Sequence, residues 1–204
     1  MLPLLIVLGF IALGFNTDYI PSGSMEPTLV PGDHIITMRA WLAYPFGQMP
    51  SRGDVITFRL SDAARLNDPN DNGDVNAATQ GAAGAAGATG AEAPAEILIK
   101  RVVGLPGDSV QIVGNIVYIN GQRLVEAYDI TPMDVSTGTL YPYAVDRPLK
   151  VPQGELFVLG DNRNNSDDGR FWGTLKRSDV IGRYVAKLFH QNPQEAPNGK
   201  PSGP

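Results

Sequence analysis

The stretch Ile97-Leu98-Ile99-Lys100-Arg101-Val102-Val103-Gly104-Leu105-Pro106-Gly107-Asp108 decides the architecture. Residues 97–103 read as a strand that is apolar apart from Lys100 and Arg101, and Gly104 to Asp108 reads as a turn. Val110 to Ile119 follows as a strand running into a hairpin at Asn120-Gly121, the strongest short hairpin signal. Working outward, short strands are expected at His34–Met38, Val55–Phe58, Glu155–Gly160 and Val180–Phe189. Turns at Pro31-Gly32-Asp33 and Ser51–Asp54 lead into the first two. With 23 glycines, 17 prolines and few helical patterns in 204 residues, a mostly β fold is expected. It should be an antiparallel β-sandwich or barrel-like domain with a short N-terminal apolar anchor.

Lys100 gives this strand a chemical reading. A lysine in an apolar strand either snorkels to the surface or is buried. Burial disfavours the ammonium and turns the amine into a usable general base. A serine able to use such a base lies in Pro21-Ser22-Gly23-Ser24-Met25-Glu26-Pro27-Thr28-Leu29. Prolines fix φ at both ends of this loop and glycine frees the backbone between its serines, so one hydroxyl can be held in a fixed pose. Read alone, Ser-Gly-Ser is usually an ordinary turn. Serine–lysine pairing is an accepted alternative to a Ser-His-Asp triad. The polar loop Asp161-Asn162-Arg163-Asn164-Asn165-Ser166-Asp167-Asp168-Gly169-Arg170 supplies orienting and bracing groups. The Ser166 hydroxyl could orient a neutral lysine, and Asp161 and Asp168 have Arg101 and Arg170 as candidate partners.

Composition closes other routes. There is no cysteine, which excludes thiol catalysis and thiolate metal sites. Two histidines, His34 and His190, are too few for a histidine metal cluster. A net charge of −5 without a basic stripe argues against nucleic acid.

Three regions are expected. Residues 1–15 form an N-terminal hydrophobic segment, whose run LPLLIVLGFIALGF (2–15) is uncharged. At about 14 residues it falls short of the ~20 that span a bilayer, so it reads as a partial or marginal transmembrane anchor. Residues 16–190 form the catalytic β domain, with a low-complexity Gly/Ala loop at 61–95 read as mobile surface. Residues 191–204 read as a disordered tail. Within the loop, Asp68, Asn70, Asn72 and Gly73 match the opening positions of a calcium loop. Thr79 stands where the bidentate glutamate belongs, and a solvated loop is the expectation.

In order along the chain, PSGSMEPTL (21–29), Gly32-Asp33, RGDVITF (52–58), IKRVVGLPGDSV (99–110) and GDNRNNSDDGRFWG (160–173) resemble the motifs of type I signal peptidases. These are membrane-bound serine endopeptidases with a serine–lysine dyad. The resemblance implies that Ser24 is the nucleophile and Lys100 the general base. It implies that the Ser22 hydroxyl and the Ser24 N–H form the oxyanion hole. Ser166 would orient the Lys100 amine, while Asp161–Arg101 and Asp168–Arg170 act as supports. Pockets for small residues in the Ala-x-Ala manner are expected around Ile20, Pro21, Met25 and Ile99. The implied partners are signal peptides of exported preproteins and the lipid bilayer. No metal, cofactor or nucleic acid is implied, and a monomer is expected. The implied location is the cytoplasmic membrane, with the catalytic domain on the extracytoplasmic side. A specialised single-substrate relative (a conjugation or pilus-precursor peptidase) is the alternative. A non-catalytic, membrane-tethered peptide-binding domain would instead place Lys100 away from Ser24.

Overall fold

The computed structural model describes residues 13–60, 97–132 and 147–191. Its strands are β1 (Phe15–Tyr19), β2 (Asp33–Arg39), β3 (Val55–Arg59), β4 (Ile97–Gly104), β5 (Ser109–Val113), β6 (Ile116–Ile119), β7 (Gln122–Arg123), β8 (Leu149–Lys150), β9 (Glu155–Leu159), β10 (Leu175–Lys176) and β11 (Val180–His190). Two single-turn helices, α1 (Ala40–Ala43) and α2 (Gly169–Trp172), complete the larger elements. A seven-stranded sheet runs β1-β2-β11-β3-β4-β9-β10, and a four-stranded sheet runs β7-β6-β5-β8. Every ladder is antiparallel, so the mostly β, antiparallel expectation holds.

β4 lies between β3 and β9, and apolar layers cover both its faces. One layer gathers Ile56, Phe58, Val102, Val158 and Trp172. The other joins the sheets, packing Val103, Phe157 and Leu159 against Val110, Ile112, Val117 and Ile119. Burial is therefore unbroken from Lys100 to Gly104, without the alternation of a half-exposed strand. At Gly104 the chain leaves one sheet for the other. A Cβ there would stand 2.7 Å from Val110 Cγ2 and 2.8 Å from Phe157 Cβ, so only glycine fits without repacking. A third cluster of Ile20, Met25, Leu29, Ile35 and Val55 pins the 21–29 loop against the sheet.

The structure departs from the expected elements at the 110–119 hairpin and adds three details that the sequence reading did not specify. The stretch 110–119 is two strands, β5 and β6, folded at Gly114-Asn115, with Asn120-Gly121 turning into β7. The Val180 strand lies inside the sheet between β2 and β3. The apolar run from Trp41 to Phe46 forms α1 and a 3-10 turn. β1 begins at Phe15, so the expected boundary after residue 15 falls within a strand. No helix among the described residues is long and apolar enough to cross a membrane. Most of the anchor, the 61–95 loop with its calcium-like cluster and most of the tail lie outside the described residues.

The turn after β4 is held by one carboxylate. Asp108 accepts from the Leu105 N–H at 2.7 Å, Arg52 Nη2 at 2.9 Å and Asn120 Nδ2 at 2.9 Å. Burial pushes this carboxyl up, but the three donors outweigh it and hold it below the usual aspartate value. Its contribution to stability is therefore present above the unfolded-state value of about 3.9 and is lost as pH falls through the folded-state value. Asp108→Asn should cost about 1–3 kcal/mol in urea unfolding at neutral pH. The gap from the native chain should narrow in acid, and a gap independent of pH would contradict this assignment.

Candidate active site

Four segments converge on the start of β4. The 21–29 loop brings Ser24, which is 9% exposed, and β4 brings Lys100, which is 3% exposed. Lys100 Nζ donates to Ser24 Oγ at 2.9 Å and to the Ile99 carbonyl at 3.0 Å. The lysine sits where the doubly covered part of the strand begins, and it does not snorkel. Residues 76 positions apart thus share one hydrogen bond because β4 and the 21–29 loop pack on the same core. Ser22 and Pro21 remain exposed beside them. The separation a non-catalytic domain would show is absent.

Arg101 and Arg170 each pair with an aspartate. Arg101 Nε and Nη2 reach the two Asp161 oxygens at 2.7 Å and 2.5 Å, and Nη1 donates to the Gly53 carbonyl at 2.9 Å. Burial works against the guanidinium charge, but Asp161 more than offsets it and raises the Arg101 pKa. Thr28 Oγ1 donates to Asp161 Oδ2 at 2.6 Å, which ties the far end of the serine loop to the same carboxylate. Asp168 caps α2. Its Oδ1 accepts from Arg170 Nε at 2.8 Å, and its Oδ2 accepts from Arg170 Nη2 and the Gly160 N–H, each at 3.0 Å.

Ser166 is the exception. Its hydroxyl is buried without a hydrogen-bond partner, so the expected contact with the Lys100 amine is not made. The reason is packing: the side chain lies against Gly160. A Cβ on Gly160 would stand 2.2 Å from Ser166 Oγ and 2.5 Å from the Ser24 carbonyl oxygen. Gly160 therefore lets Ser166 and the Ser24 backbone meet. Of the residues expected to line substrate pockets, Ile20 and Met25 are buried in the third core cluster. They support the loop from beneath, while Pro21 is exposed and Ile99 is partly exposed.

Sequence reasoning placed Asn162 only among the bracing groups of the polar loop, and it missed a second set of residues. Asn162 clamps the serine loop: its N–H donates to the Ser24 carbonyl and its Nδ2 to the Gly23 carbonyl, each at 3.1 Å. Residues 126–131, to which the sequence assigns no element, form a strap across the polar loop. Thr131 N–H donates to the Asp161 carbonyl and Arg163 N–H to the Thr131 carbonyl, both at 2.9 Å. Glu126 forms a buried ion pair with Arg163 and accepts from Tyr128 Oη at 2.7 Å. Burial and then Glu126 push the Tyr128 hydroxyl pKa up. The Tyr128 ring lies 3.9 Å from the Arg101 guanidinium carbon. An acidic and an aromatic residue two apart, after a hairpin, was the available signal, and it is too common to stand out.

His34 and His190 lie away from this centre. The His34 ring stacks on Phe189 at 4.4 Å, and His190 Nδ1 is 3.0 Å from Asp33 Oδ1.

Comparison with known proteins agrees with this geometry. The sequence model described as signal peptidase, peptidase S26, matches residues 1–189. A signal peptidase I of Leptolyngbya laminosa is 38% identical over 187 residues, covering 89% of this chain and 75% of that protein. A probable signal peptidase I-2 of Synechocystis is 33% identical, covering 88% and 67%. A signal peptidase I of Pseudomonas aeruginosa is 31% identical, covering 80% and 57%. With buried serine and lysine in contact and a family match over nearly its whole length, the chain belongs to the signal peptidase family, peptidase S26, and is a peptidase of signal peptides.

Proposed function

We propose that Ser24 and Lys100 carry out signal-peptide cleavage as a serine–lysine dyad. The observation that carries this reading is the 2.9 Å contact between the Lys100 amine and the Ser24 hydroxyl, both withdrawn from water. Removing an amine from water favours its neutral form, whose lone pair can take the hydroxyl proton. Ser24 Oγ then bonds to the scissile carbonyl carbon, and the oxygen becomes an oxyanion. The exposed Ser22 hydroxyl and the Ser24 N–H donate to that oxygen. As the tetrahedral species collapses, the C–N bond breaks and Lys100 gives its proton to the leaving amine. Water, deprotonated by Lys100, attacks the ester, and the serine recovers its proton. The Asp161–Arg101 and Asp168–Arg170 pairs, with Asn162 and the strap, hold the segments in register.

The substrates we infer are exported preproteins with small residues before the cut. The exposed Pro21 and partly exposed Ile99 offer apolar surface beside the dyad, with Ile20 and Met25 as the floor behind them. We place the enzyme at the cytoplasmic membrane, with this domain on the extracytoplasmic side, acting as a monomer. The uncharged apolar sequence at 2–15 supports that placement.

Cleavage of a preprotein bearing an Ala-x-Ala site tests the assignment. Ser24→Ala should abolish turnover, Lys100→Ala should lower kcat by about 10²–10⁴, and Ser22→Ala by about 10²–10³. Substantial turnover in either dyad variant would remove the mechanism. The bracing network makes a separate prediction. Glu126→Gln leaves the Arg163 charge unbalanced, and should lower kcat more than it raises KM in protein that still unfolds cooperatively. Unchanged kcat would show the strap to be peripheral.

A further inference from the structure

One acidic side chain beside the nucleophile has no part in the bracing network. Glu26 follows Ser24 by two residues, and its carboxyl folds back against Gly23. A Cβ on Gly23 would stand 2.8 Å from Glu26 Oε1 and 3.3 Å from Oε2, so the missing side chain is what admits the carboxylate. The backbone fixes this arrangement. The Glu26 N–H donates to the Gly23 carbonyl at 3.1 Å, and the same carbonyl accepts from Asn162 Nδ2 at 3.1 Å. Thr131 Oγ1 donates to the Glu26 carbonyl at 3.5 Å. Met25 is buried and Thr28 is bound to Asp161, whereas Glu26 is partly exposed and Pro27 exposed. Among the described residues nothing makes an ion pair or hydrogen bond to the Glu26 carboxylate. Arg101 and Arg163, the arginines of the surrounding network, are matched to Asp161 and Glu126.

For catalysis alone this carboxylate is badly placed. It lies against the residue between Ser22 and Ser24, the two donors to the oxyanion in the mechanism above. A negative group there repels the charge that develops on the scissile oxygen. A cation carried by the substrate removes that repulsion and gains an ion pair. The loop also indicates which part of the substrate supplies it. Residues before the cut lie against Pro21 and Ile99, at the entry to the loop. Glu26 stands at the exit, beyond Ser24, and the segment after the cut is the part left to meet it. We propose that Glu26 is a specificity-determining residue that reads the charge of the first two residues after the cut, favouring lysine or arginine there and disfavouring aspartate or glutamate. This inference rests on the serine–lysine reading above. It adds a selection by charge on the leaving side of the bond to the selection by size expected on the other side.

The test uses the full chain and model preproteins that share one Ala-x-Ala site. They differ only in the two residues after the cut, which are both lysine, both glutamine or both glutamate. Steady-state kcat/KM is measured for each at low and at high salt. The native enzyme should prefer the lysine substrate over the glutamate substrate roughly fivefold, in keeping with a partly exposed ion pair. Salt should shrink that ratio by screening. Glu26→Gln should bring the ratio close to one, mainly by speeding cleavage of the glutamate substrate, and Glu26→Lys should reverse the order. A native ratio near one, or the same ratio in Glu26→Gln, would overturn the proposal. The native comparison decides the matter even where a variant does not fold, and a cooperative thermal transition identifies the variants that do. Ser24→Ala separates this inference from the one beneath it. If it abolishes cleavage of all three substrates, the dyad stands and the ratios judge Glu26 alone. If cleavage persists, the dyad falls and the placement of Glu26 beside the reacting bond falls with it.

Discussion

The hydrogen bond between Lys100 Nζ and Ser24 Oγ is the constraint on which the rest of the structure depends. An amine on a flexible four-carbon stem prefers water, and losing that hydration is unfavourable unless the surroundings enforce it. Here the enforcement is architectural. β4 is an inner strand with core on both faces, and the lysine sits at the first position where that cover is complete. The serine arrives from a loop anchored by the apolar cluster of Ile20, Met25, Leu29, Ile35 and Val55. The core therefore brings the Lys100 amine and the Ser24 hydroxyl together, and the hydrogen bond fixes their contact.

Polar groups then hold the placement against slippage. Asp161 joins Arg101 of β4 to Thr28 of the serine loop, so one buried carboxylate locks the two segments together. Asn162 grips the backbone carbonyls of Gly23 and Ser24. Asp168 and Arg170 close the far end of the polar loop, and Glu126 with Arg163 closes its outer side. These buried ion pairs are geometric devices more than sources of stability. Desolvation offsets much of their attraction, while breaking one leaves a buried charge uncompensated.

Much of this was legible in the residues, for identifiable reasons. Lys100 stood out because a cation interrupts an apolar strand, and the short strands announced themselves through β-branched runs and glycine or proline turns. The arginine pairs could be guessed because acids and bases were dense in one loop. The reversal at Gly114-Asn115 was less visible, because apolar residues run to both sides of it and Asn120-Gly121 gave the louder turn signal. The strap at 126–131 was invisible: its two backbone bonds to the polar loop depend on tertiary position, not on local pattern. Ser166 was expected beside the Lys100 amine from the chemistry of its loop and from resemblance, yet its hydroxyl lies against Gly160. A rotamer is set by the last few tenths of an ångström of packing, which no spacing encodes.

The central claim is that the neutral Lys100 amine activates Ser24. The most direct measurement is kcat/KM for a model preprotein as a function of pH, from acid through the alkaline range, compared with the residual rate of Lys100→Ala. If the amine is the base, kcat/KM rises with pH along a single limb as Lys100 loses its proton, and that limb is missing from the variant. A flat profile, or the same limb in the variant, would contradict the account.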